Sequence, residues 1–292
     1  MENSTFLGII GGSGVYNIEG LHNPEWRDVQ TPWGLPSSRV LTGVLNDVPI
    51  AFLPRHGEHH TIAPAEINYR ANIDALKRLG VTDVVSIAAC GSFRDSMAPG
   101  DFVIVDQFID RTIARVKSFF GTGCVAHVAF SHPVCDRLRK IIAQACQNDG
   151  VVFHSTGTYL AMEGPQFSTM GESKLYRNWG CDVIGMTGMP EAKLAREAEL
   201  CYATIAMVTD YDSWSDDKKH VTTEDVMRVM GSNVHKAKNL IVSLTQALSK
   251  KRHVCSGGCD RALQNAIMTP PSSRDPVLLQ KLDAIAKRVL HE

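Results

Sequence analysis

The sequence has no apolar run long enough to span a membrane, and its beginning does not resemble a secretion signal. Residues 6–10 form too short an apolar stretch, and Glu2 is acidic where a signal would be basic. An excess of one charge is also missing, since 30 basic and 31 acidic residues leave a formal net charge of −1. Such a chain has no long-range attraction for nucleic acid or anionic membranes. We therefore expect a cytoplasmic protein with no nucleic-acid or membrane partner.

The eight cysteines do not indicate a disulfide framework, because no secretion signal accompanies them. Cys255 and Cys259 are separated by Ser-Gly-Gly, which is flexible enough for a small ring to close. A disulfide and two free thiols both remain open for this pair. No second Cys or Cys/His pair with ligand spacing accompanies it, so we expect no metal site.

Strand-like apolar segments alternate with segments of helical periodicity, which predicts an α/β fold with helices covering a central sheet. Strands are predicted at residues 6–10, 50–53, 84–89, 102–105, 158–162, 183–186 and 202–209, and helices at 67–79, 133–147, 168–179, 190–199 and 223–248. Ser168 is predicted to cap the third of these helices. After about residue 251 the pattern gives way to Gly, Pro, Ser and Cys before a last predicted helix at 276–290. We expect one domain over residues 1–250 and a C-terminal extension over 251–292, packed on that domain or on a neighbouring subunit.

Polar residues that suit an oxyanion follow several predicted strands. Gly-Gly-Ser-Gly at 11–14 lacks the third glycine of the dinucleotide fingerprint, so it argues poorly for NAD, but its N–H groups and the Ser13 hydroxyl suit phosphate. Arg55 offers planar, bidentate hydrogen bonding, and His56 adds a neighbouring donor. The Ala89 backbone and Thr187 also lie at strand ends. Because ligands of open α/β sheets bind beyond the carboxyl ends of the strands, these groups predict a phosphate site.

Asp210 and Asp212 follow the last predicted strand. Residues two apart in an extended chain point the same way, so both carboxylates can face one ligand. Their proximity disfavours double ionisation and raises one pKa towards neutrality. One group could then protonate a leaving purine at N7, while the other accepts a hydrogen bond from a 6-amino group. A metal pair and a solvated loop are the alternatives, and no His or Glu cluster supports the metal.

Two apolar residues are candidates for substrate contact. Phe167, after a Gly-Pro turn, could stack on a base, although such a Phe is more often part of a core. Met186 ends a predicted strand beside Thr187 and could contact a sugar. Periodicity alone does not decide between these interpretations.

Taken together, these segments resemble the 5′-methylthioadenosine phosphorylases of the trimeric purine nucleoside phosphorylase family. The resemblance covers residues 8–248 and rests on motifs at 11–14, 55–57, 68–72, 89–92, 106–112, 163–167, 185–187, 190–191 and 209–212. It implies a single-domain α/β/α sandwich around a mixed sheet, assembled as a homotrimer or homohexamer. It also implies inorganic phosphate as co-substrate, with no cofactor and no metal.

The same resemblance assigns roles to residues. Phosphate is expected at Ser13, Arg55, His56, Ala88, Ala89 and Thr187. Purine is expected at Phe167, Asp210 and Asp212, with Met186 against the ribose. The 5′ substituent is expected at Thr223, Val226 and Met227, with His127 supplied by a neighbouring subunit. Ala88 stands where many relatives carry Thr or Ser, and Gln166 and Met170 each stand where Arg is common.

The resulting hypothesis is phosphate-dependent cleavage of 5′-methylthioadenosine to adenine and 5-methylthioribose 1-phosphate, with Asp210 as the acid. A phosphorylase with 6-oxopurine preference is the first alternative, although such relatives usually carry Asn at the position of Asp210. A nucleosidase that uses water is the second, and Arg55 and His56 argue against it. A nucleoside-binding or NAD-binding module without chemistry is the third.

Overall fold

Eleven strands form one mixed sheet in the structure, a computed structural model that describes residues 4–12, 14, 17–214, 223–248, 252 and 254–290. The strands in chain order are β1 (Leu7–Gly11), β2 (His22–Arg27), β3 (Val40–Leu45), β4 (Val48–Pro54), β5 (Asp83–Ser92), β6 (Phe102–Ile104), β7 (Gln107–Asp110), β8 (Phe153–His154), β9 (Thr158–Ala161), β10 (Val183–Gly185) and β11 (Cys201–Tyr211). The α-helices are α1 (Tyr69–Arg78), α2 (Asp136–Asn148), α3 (Met170–Asn178), α4 (Glu191–Glu197), α5 (Thr223–Ala247), α6 (Pro276–Lys281) and α7 (Lys287–Leu290).

Strand β5 lies at the centre of the sheet. It pairs in parallel with β1 on one side and with β11 on the other, and its last residues pair antiparallel with β10. On the far side of β1 the sheet continues through β4, β3 and β2, and beyond β10 through β9 and β7. Because β1, β4, β5 and β11 run in one direction, their carboxyl ends meet at one edge of the sheet.

Apolar side chains alternate between the two faces of the central strands, as a sheet covered on both sides requires. In β11, Tyr202 and Ala206 belong to one buried cluster, which also contains residues of α1 and α4. Ala203 and Ile205 belong to the other, which contains residues of α2 and α5. The expected α/β/α sandwich around a mixed sheet is confirmed.

Two predicted helices differ from the structure. The N-cap of α3 is Thr169, whose hydroxyl accepts the Glu172 N–H in a capping box, because Ser168 instead donates to Asp212. The helix predicted at 276–290 is two short helices, α6 and α7, separated by turns. Strands β2, β3, β7 and β8 were not predicted.

The C-terminal extension packs on the body of the same chain. Arg288 forms an ion pair with Glu199 at 2.7 Å, and Leu282 and Ile285 are buried in the cluster that contains α1 and α4. No helix in the described ranges is both long and apolar enough to span a bilayer.

Glycines in α5 and β1 give opposite predictions for stability. Gly231 is exposed in α5, and a Cβ there meets no atom within 4 Å, so Gly231→Ala should raise the free energy of unfolding by about 0.5–1 kcal/mol. A Cβ on buried Gly8 would lie 2.9 Å from Val81 Cγ1, so Gly8→Ala should lower the free energy of unfolding by about 1–3 kcal/mol. Denaturant unfolding of both variants measures these changes. A loss of stability in Gly231→Ala would show that a Cβ at this position of α5 is not free of contacts.

Candidate active site

A cavity of about 590 Å³ lies at the edge of the sheet where the carboxyl ends of β1, β4, β5 and β11 meet. Ten of the residues predicted to bind phosphate or nucleoside line it, namely Arg55, His56, Ala88, Ala89, Phe167, Met186, Thr187, Asp210, Asp212 and Met227. The predicted oxyanion groups and the predicted acid pair therefore share one cavity. The hypothesis of one site for phosphate and purine requires this arrangement, because Arg55 could not hold phosphate next to the purine from outside the cavity that Asp210 lines.

Arg55 is almost fully buried and forms an ion pair with Glu191, the first residue of α4. Its Nε donates to Glu191 Oε2 at 3.0 Å, and its Nη2 lies 3.4 Å from Oε1. Nη2 also donates to Ser86 Oγ at 2.7 Å and to the Ile10 carbonyl at 3.2 Å, while Nη1 donates to the Ile87 carbonyl at 3.2 Å. The fork of the guanidinium is thus occupied by a carboxylate of the chain itself.

In this geometry the fork of the guanidinium is paired with Glu191, so it is not free for the predicted bidentate contact with an oxyanion. Of the five guanidinium N–H groups, the hydrogen bonds among the described residues leave one on Nη1 unused. Burial alone would lower the pKa of Arg55, but the charge of Glu191 and its hydrogen bonds raise it above the ordinary value. Arg55 is therefore a permanent buried cation that can offer a ligand one hydrogen bond.

His56 is a neutral imidazole at neutral pH. Burial, reinforced by the charge of Arg55, lowers the pKa of His56 to about 4. Its Nδ1 lies 2.9 Å from the Ile62 carbonyl, which can only accept, so the neutral ring carries its proton on Nδ1 and leaves Nε2 as an acceptor. His60 stacks on the ring with centroids 4.2 Å apart. The ring can therefore offer a ligand an acceptor at Nε2, and the predicted donor role of His56 stays a prediction.

A β-bulge directs both acids into the cavity. Val208 pairs with Cys90 and Asp210 with Gly91, so Thr209 is an extra residue in β11. The bulge reverses the alternation of the strand, and Thr209, Asp210 and Asp212 all line the cavity. Sequence spacing correctly brought the two acids together, but the bulge is the reason that they face the same cavity as Thr209.

The two carboxyl groups differ in their partners. Asp210 Oδ1 accepts the Thr209 hydroxyl at 2.6 Å, whereas both oxygens of Asp212 contact Ser168 Oγ, at 2.8 and 2.6 Å. Burial raises the pKa of Asp210 to about 6, with the Thr209 hydrogen bond opposing the shift and the Asp212 charge adding to it. Burial also raises the pKa of Asp212. Asp210 can therefore carry a proton close to neutral pH.

Gly91 is required by the position of Asp210. A Cβ on this residue would lie 2.9 Å from Asp210 Oδ2 and 3.3 Å from Ile184 Cγ2. Only a residue without a side chain lets β5 run so close to the carboxylate.

The remaining lining is apolar and rich in methionine. Met162, Met207 and Met230 line the cavity in addition to the expected Met186 and Met227. Unbranched thioethers adapt to irregular ligands, so this wall suits an apolar substituent. Phe167 is 54% exposed and lies at the cavity, so it is not a core residue.

The structure does not bring every predicted residue into the cavity. His127 is exposed and does not line it, and its backbone N–H donates to the Ala266 carbonyl of the C-terminal extension. Ser13 lies outside the described residues. Thr223 and Val226 lie in α5, but their side chains are outside the described part of the chain. The roles predicted for these four residues stay predictions.

Sequence reasoning missed several residues of the site. In the sequence Glu191 stands out only as part of a motif, and its place at the start of a predicted helix after a strand end is the one signal for a partner of Arg55. Ser168 was assigned to a helix cap instead of to Asp212. Met162 and Met207 fall in predicted strands and Met230 in a predicted helix, and nothing in their spacing marks them as cavity lining.

This fold and site agree with comparisons to known proteins. Residues 6–246 match the model of the phosphorylase superfamily, and the chain belongs to that family. The resemblance to the methylthioadenosine phosphorylases is also confirmed. An S-methyl-5′-thioadenosine phosphorylase of Cereibacter sphaeroides is 61% identical over 98% of this chain and 99% of its own length. One of Thermofilum pendens is 47% identical over 90% of this chain and 98% of its own length.

Solved structures give the same result. A methylthioadenosine phosphorylase from an antarctic soil metagenomic library superposes with a TM-score of 0.90, at 40% identity, over 97% of this chain and 99% of its own. A methylthioadenosine phosphorylase from Schistosoma mansoni, solved in complex with adenine, superposes with a TM-score of 0.79 at 37% identity, over 83% of this chain and 91% of its own.

The buried ion pair gives a prediction for stability. Glu191→Ala leaves the Arg55 cation buried without its carboxylate, so it should lower the free energy of unfolding by about 3–5 kcal/mol. Glu58→Ala is the control, because Glu58 pairs with Arg39 on the surface and its loss should cost less than about 1 kcal/mol. Denaturant unfolding measures both. Equal effects of the two substitutions would contradict the structural role of the buried pair.

Proposed function

We propose that this protein is a phosphorylase that cleaves 5′-methylthioadenosine reversibly to adenine and 5-methylthioribose 1-phosphate. One observation carries the proposal: a single cavity joins a buried cation at one end of β4 to a carboxyl group with a pKa of about 6 at the end of β11. The names of the relatives described above support the same activity.

Phosphate binds between the strand ends that carry Arg55, Ala89 and Thr187. The remaining Nη1 hydrogen of Arg55 and the Thr187 hydroxyl donate to its oxygens, and charge-assisted bonds of this kind contribute roughly 1.5–3 kcal/mol each. His56 Nε2 accepts the proton that phosphate itself carries near neutral pH. Ser13 and the backbone near Ala88 complete the proposed site.

The purine binds against Phe167 and reaches the two acids. Asp210, protonated, donates to N7, and Asp212 accepts a hydrogen bond from the 6-amino group. Ser168 holds Asp212 in one orientation through its hydroxyl. This arrangement favours adenine over a 6-oxopurine, because a carboxylate cannot donate to a 6-oxo oxygen.

The methionine-rich wall faces the rest of the nucleoside. Met186 packs on the ribose, and Met227 and Met230 of α5 offer apolar surface to the 5′-methylthio group. Burial of such a group is favourable through the hydrophobic effect alone. Thr223 and Val226 on the same helix, and His127 of a neighbouring subunit, complete this proposed subsite.

The reaction is a displacement at the anomeric carbon. Bound phosphate attacks as the N-glycosidic bond lengthens, and the electron pair of that bond moves into the purine. Transfer of the Asp210 proton to N7 neutralises the departing adenine. Neither a covalent enzyme intermediate nor a metal ion takes part in these steps. We further propose that the protein acts in the cytoplasm as a homotrimer or homohexamer, in purine and methionine salvage.

Phosphate dependence tests the proposed activity. Adenine release from methylthioadenosine and from adenosine is measured with and without inorganic phosphate, and hypoxanthine release from methylthioinosine is measured alongside. Phosphate-dependent release of adenine is expected, faster than release of hypoxanthine. Release without phosphate would indicate a nucleosidase instead, and preference for methylthioinosine would indicate a 6-oxopurine enzyme.

The proton on Asp210 gives a mutational prediction. Asp210→Asn removes the acid and should lower kcat by about 10²–10⁴-fold, the usual contribution of general acid catalysis. Near-normal turnover in this variant would refute the assignment. Gly91→Ala should also lower activity because its Cβ displaces Asp210, whereas Gly121→Ala, whose Cβ meets no atom within 4 Å, should not.

The pH profile follows from the same group. Asp210 acts in its protonated form, so kcat/KM should fall as pH rises above about 6. Phosphate ionises in the same range, and the Asp210→Asn variant, measured over the same pH series, separates the two effects. An unchanged pH profile in the variant would show that the fall does not come from Asp210.

A further inference from the structure

Four cysteines that are far apart in the sequence converge at the opposite end of the sheet from the cavity. They are Cys135, Cys201, Cys255 and Cys259, here called the four-cysteine cluster. All four are buried, at most 4% exposed, and their sulfur atoms all lie within 4.8 Å of one another. Each offers one sulfur atom as a possible metal ligand. We propose that this cluster binds one zinc ion.

The distances suit a tetrahedral thiolate site. Zinc–sulfur bonds of about 2.3 Å place the sulfur atoms of a tetrahedron roughly 3.8 Å apart. Cys135 Sγ and Cys255 Sγ are 3.6 Å apart, and the remaining separations stay within the 4.8 Å limit. Four sulfur ligands in this arrangement are characteristic of zinc or iron–sulfur sites, and a single closed centre with no open position suits structural zinc.

The fold presents the four sulfurs from three directions. Cys135 precedes the first turn of α2, and Cys201 is the first residue of β11. Cys255 and Cys259 lie on either side of a turn in which the Gly258 N–H donates to the Cys255 carbonyl at 2.9 Å. Gly258 has a φ of 70°, a conformation that glycine adopts without strain. This turn directs both thiols of the C-terminal pair towards the other two.

One cationic side chain and the amino-terminal end of α2 lie beside the cluster. Arg252 Nη2 lies 3.7 Å from Cys201 Sγ, and its other nitrogens contact Asp83 and Asp260. The amino-terminal end of α2 adds its partial positive charge beside Cys135. The net charge of −2 on a zinc tetrathiolate is thus partly compensated inside the protein.

We expected no metal site because the sequence has no second Cys pair or Cys/His pair with the close spacing of metal ligands. The C-terminal pair does have partners, but the fold supplies them as single residues, Cys135 before α2 and Cys201 at the start of β11. Strand β11 carries Cys201 and Asp210 nine positions apart, so the cluster lies roughly 30 Å from the acid pair at about 3.3 Å per residue. Zinc here holds the structure together and does not touch the substrate.

The ion would fasten the C-terminal extension to the body. That extension in turn pairs with the loop around residues 123–127, where Met268 N–H donates to the Val125 carbonyl and His127 N–H to the Ala266 carbonyl. Loss of the metal should therefore loosen residues 254–290 and this loop together. The effect is distinct from the phosphorolysis proposed above, because it is read in metal content and local stability.

Metal and thiol content of the wild-type protein test the proposal directly. Tag-free protein, purified without chelators, is first analysed for bound metals. It is then denatured in the presence of a thiol reagent, which counts reactive cysteines, and a zinc-sensitive dye, which measures released zinc. One zinc released per chain, with all eight cysteines reactive, is the expected result. Two disulfides within the cluster would leave four reactive cysteines and no zinc. That outcome, iron in place of zinc, or eight thiols without metal would overturn the proposal.

A matched pair of variants tests the role of the cluster. Cys201→Ser should lower zinc content at least tenfold and speed hydrogen exchange in residues 254–290. Cys146→Ser is the control, since Cys146 is equally buried in α2 but lies outside the cluster. Cobalt in place of zinc should give the intense thiolate-to-metal absorption of a tetrahedral site in the wild type. Equal zinc content in the two variants would contradict the assignment of Cys201 as a ligand.

Discussion

The ion pair between Arg55 and Glu191 is the constraint on which the rest of the site depends. Its hydrogen bonds reach the Ile10 carbonyl in β1 and Ser86 in β5, and Glu191 accepts the Tyr202 hydroxyl from β11 at 2.8 Å. One guanidinium and one carboxylate thus connect three parallel strands with the start of α4. Two buried charges are costly unless each finds partners, and here the same partners hold Arg55 in its position at the cavity.

The cavity holds a buried cation on one side and a carboxyl group with a raised pKa on the other, because the two sides differ in the residues around these groups. On the side of Arg55, the charge of the guanidinium keeps Glu191 ionised despite burial, while burial and the same charge lower the pKa of His56. On the side of β11, burial raises the pKa of Asp210, and the charge of Asp212 adds to this shift. The first side suits an anion and the second suits a neutral acid. A phosphorolytic reaction needs both at once.

Sequence patterns predicted the central strands, the main helices and most of the cavity, because buried strands ending in polar residues are local features. Asp210 and Asp212 were found this way, and so were Thr187 and His56. The patterns did not reveal the ion pair between Arg55 and Glu191, because it joins side chains that are 136 positions apart in the sequence. They also missed the bulge at Thr209 and the convergence of Cys135 and Cys201 on the C-terminal pair, which depend on strand register and tertiary packing.

In the proposed reaction, an anion and a purine bind at opposite ends of this one cavity. A crystal structure of the protein with phosphate and adenine tests it most directly. We expect phosphate within hydrogen-bond distance of Arg55 Nη1 and Thr187, and adenine with N7 facing Asp210. Phosphate bound away from Arg55, or adenine bound outside the cavity that Asp210 lines, would contradict it.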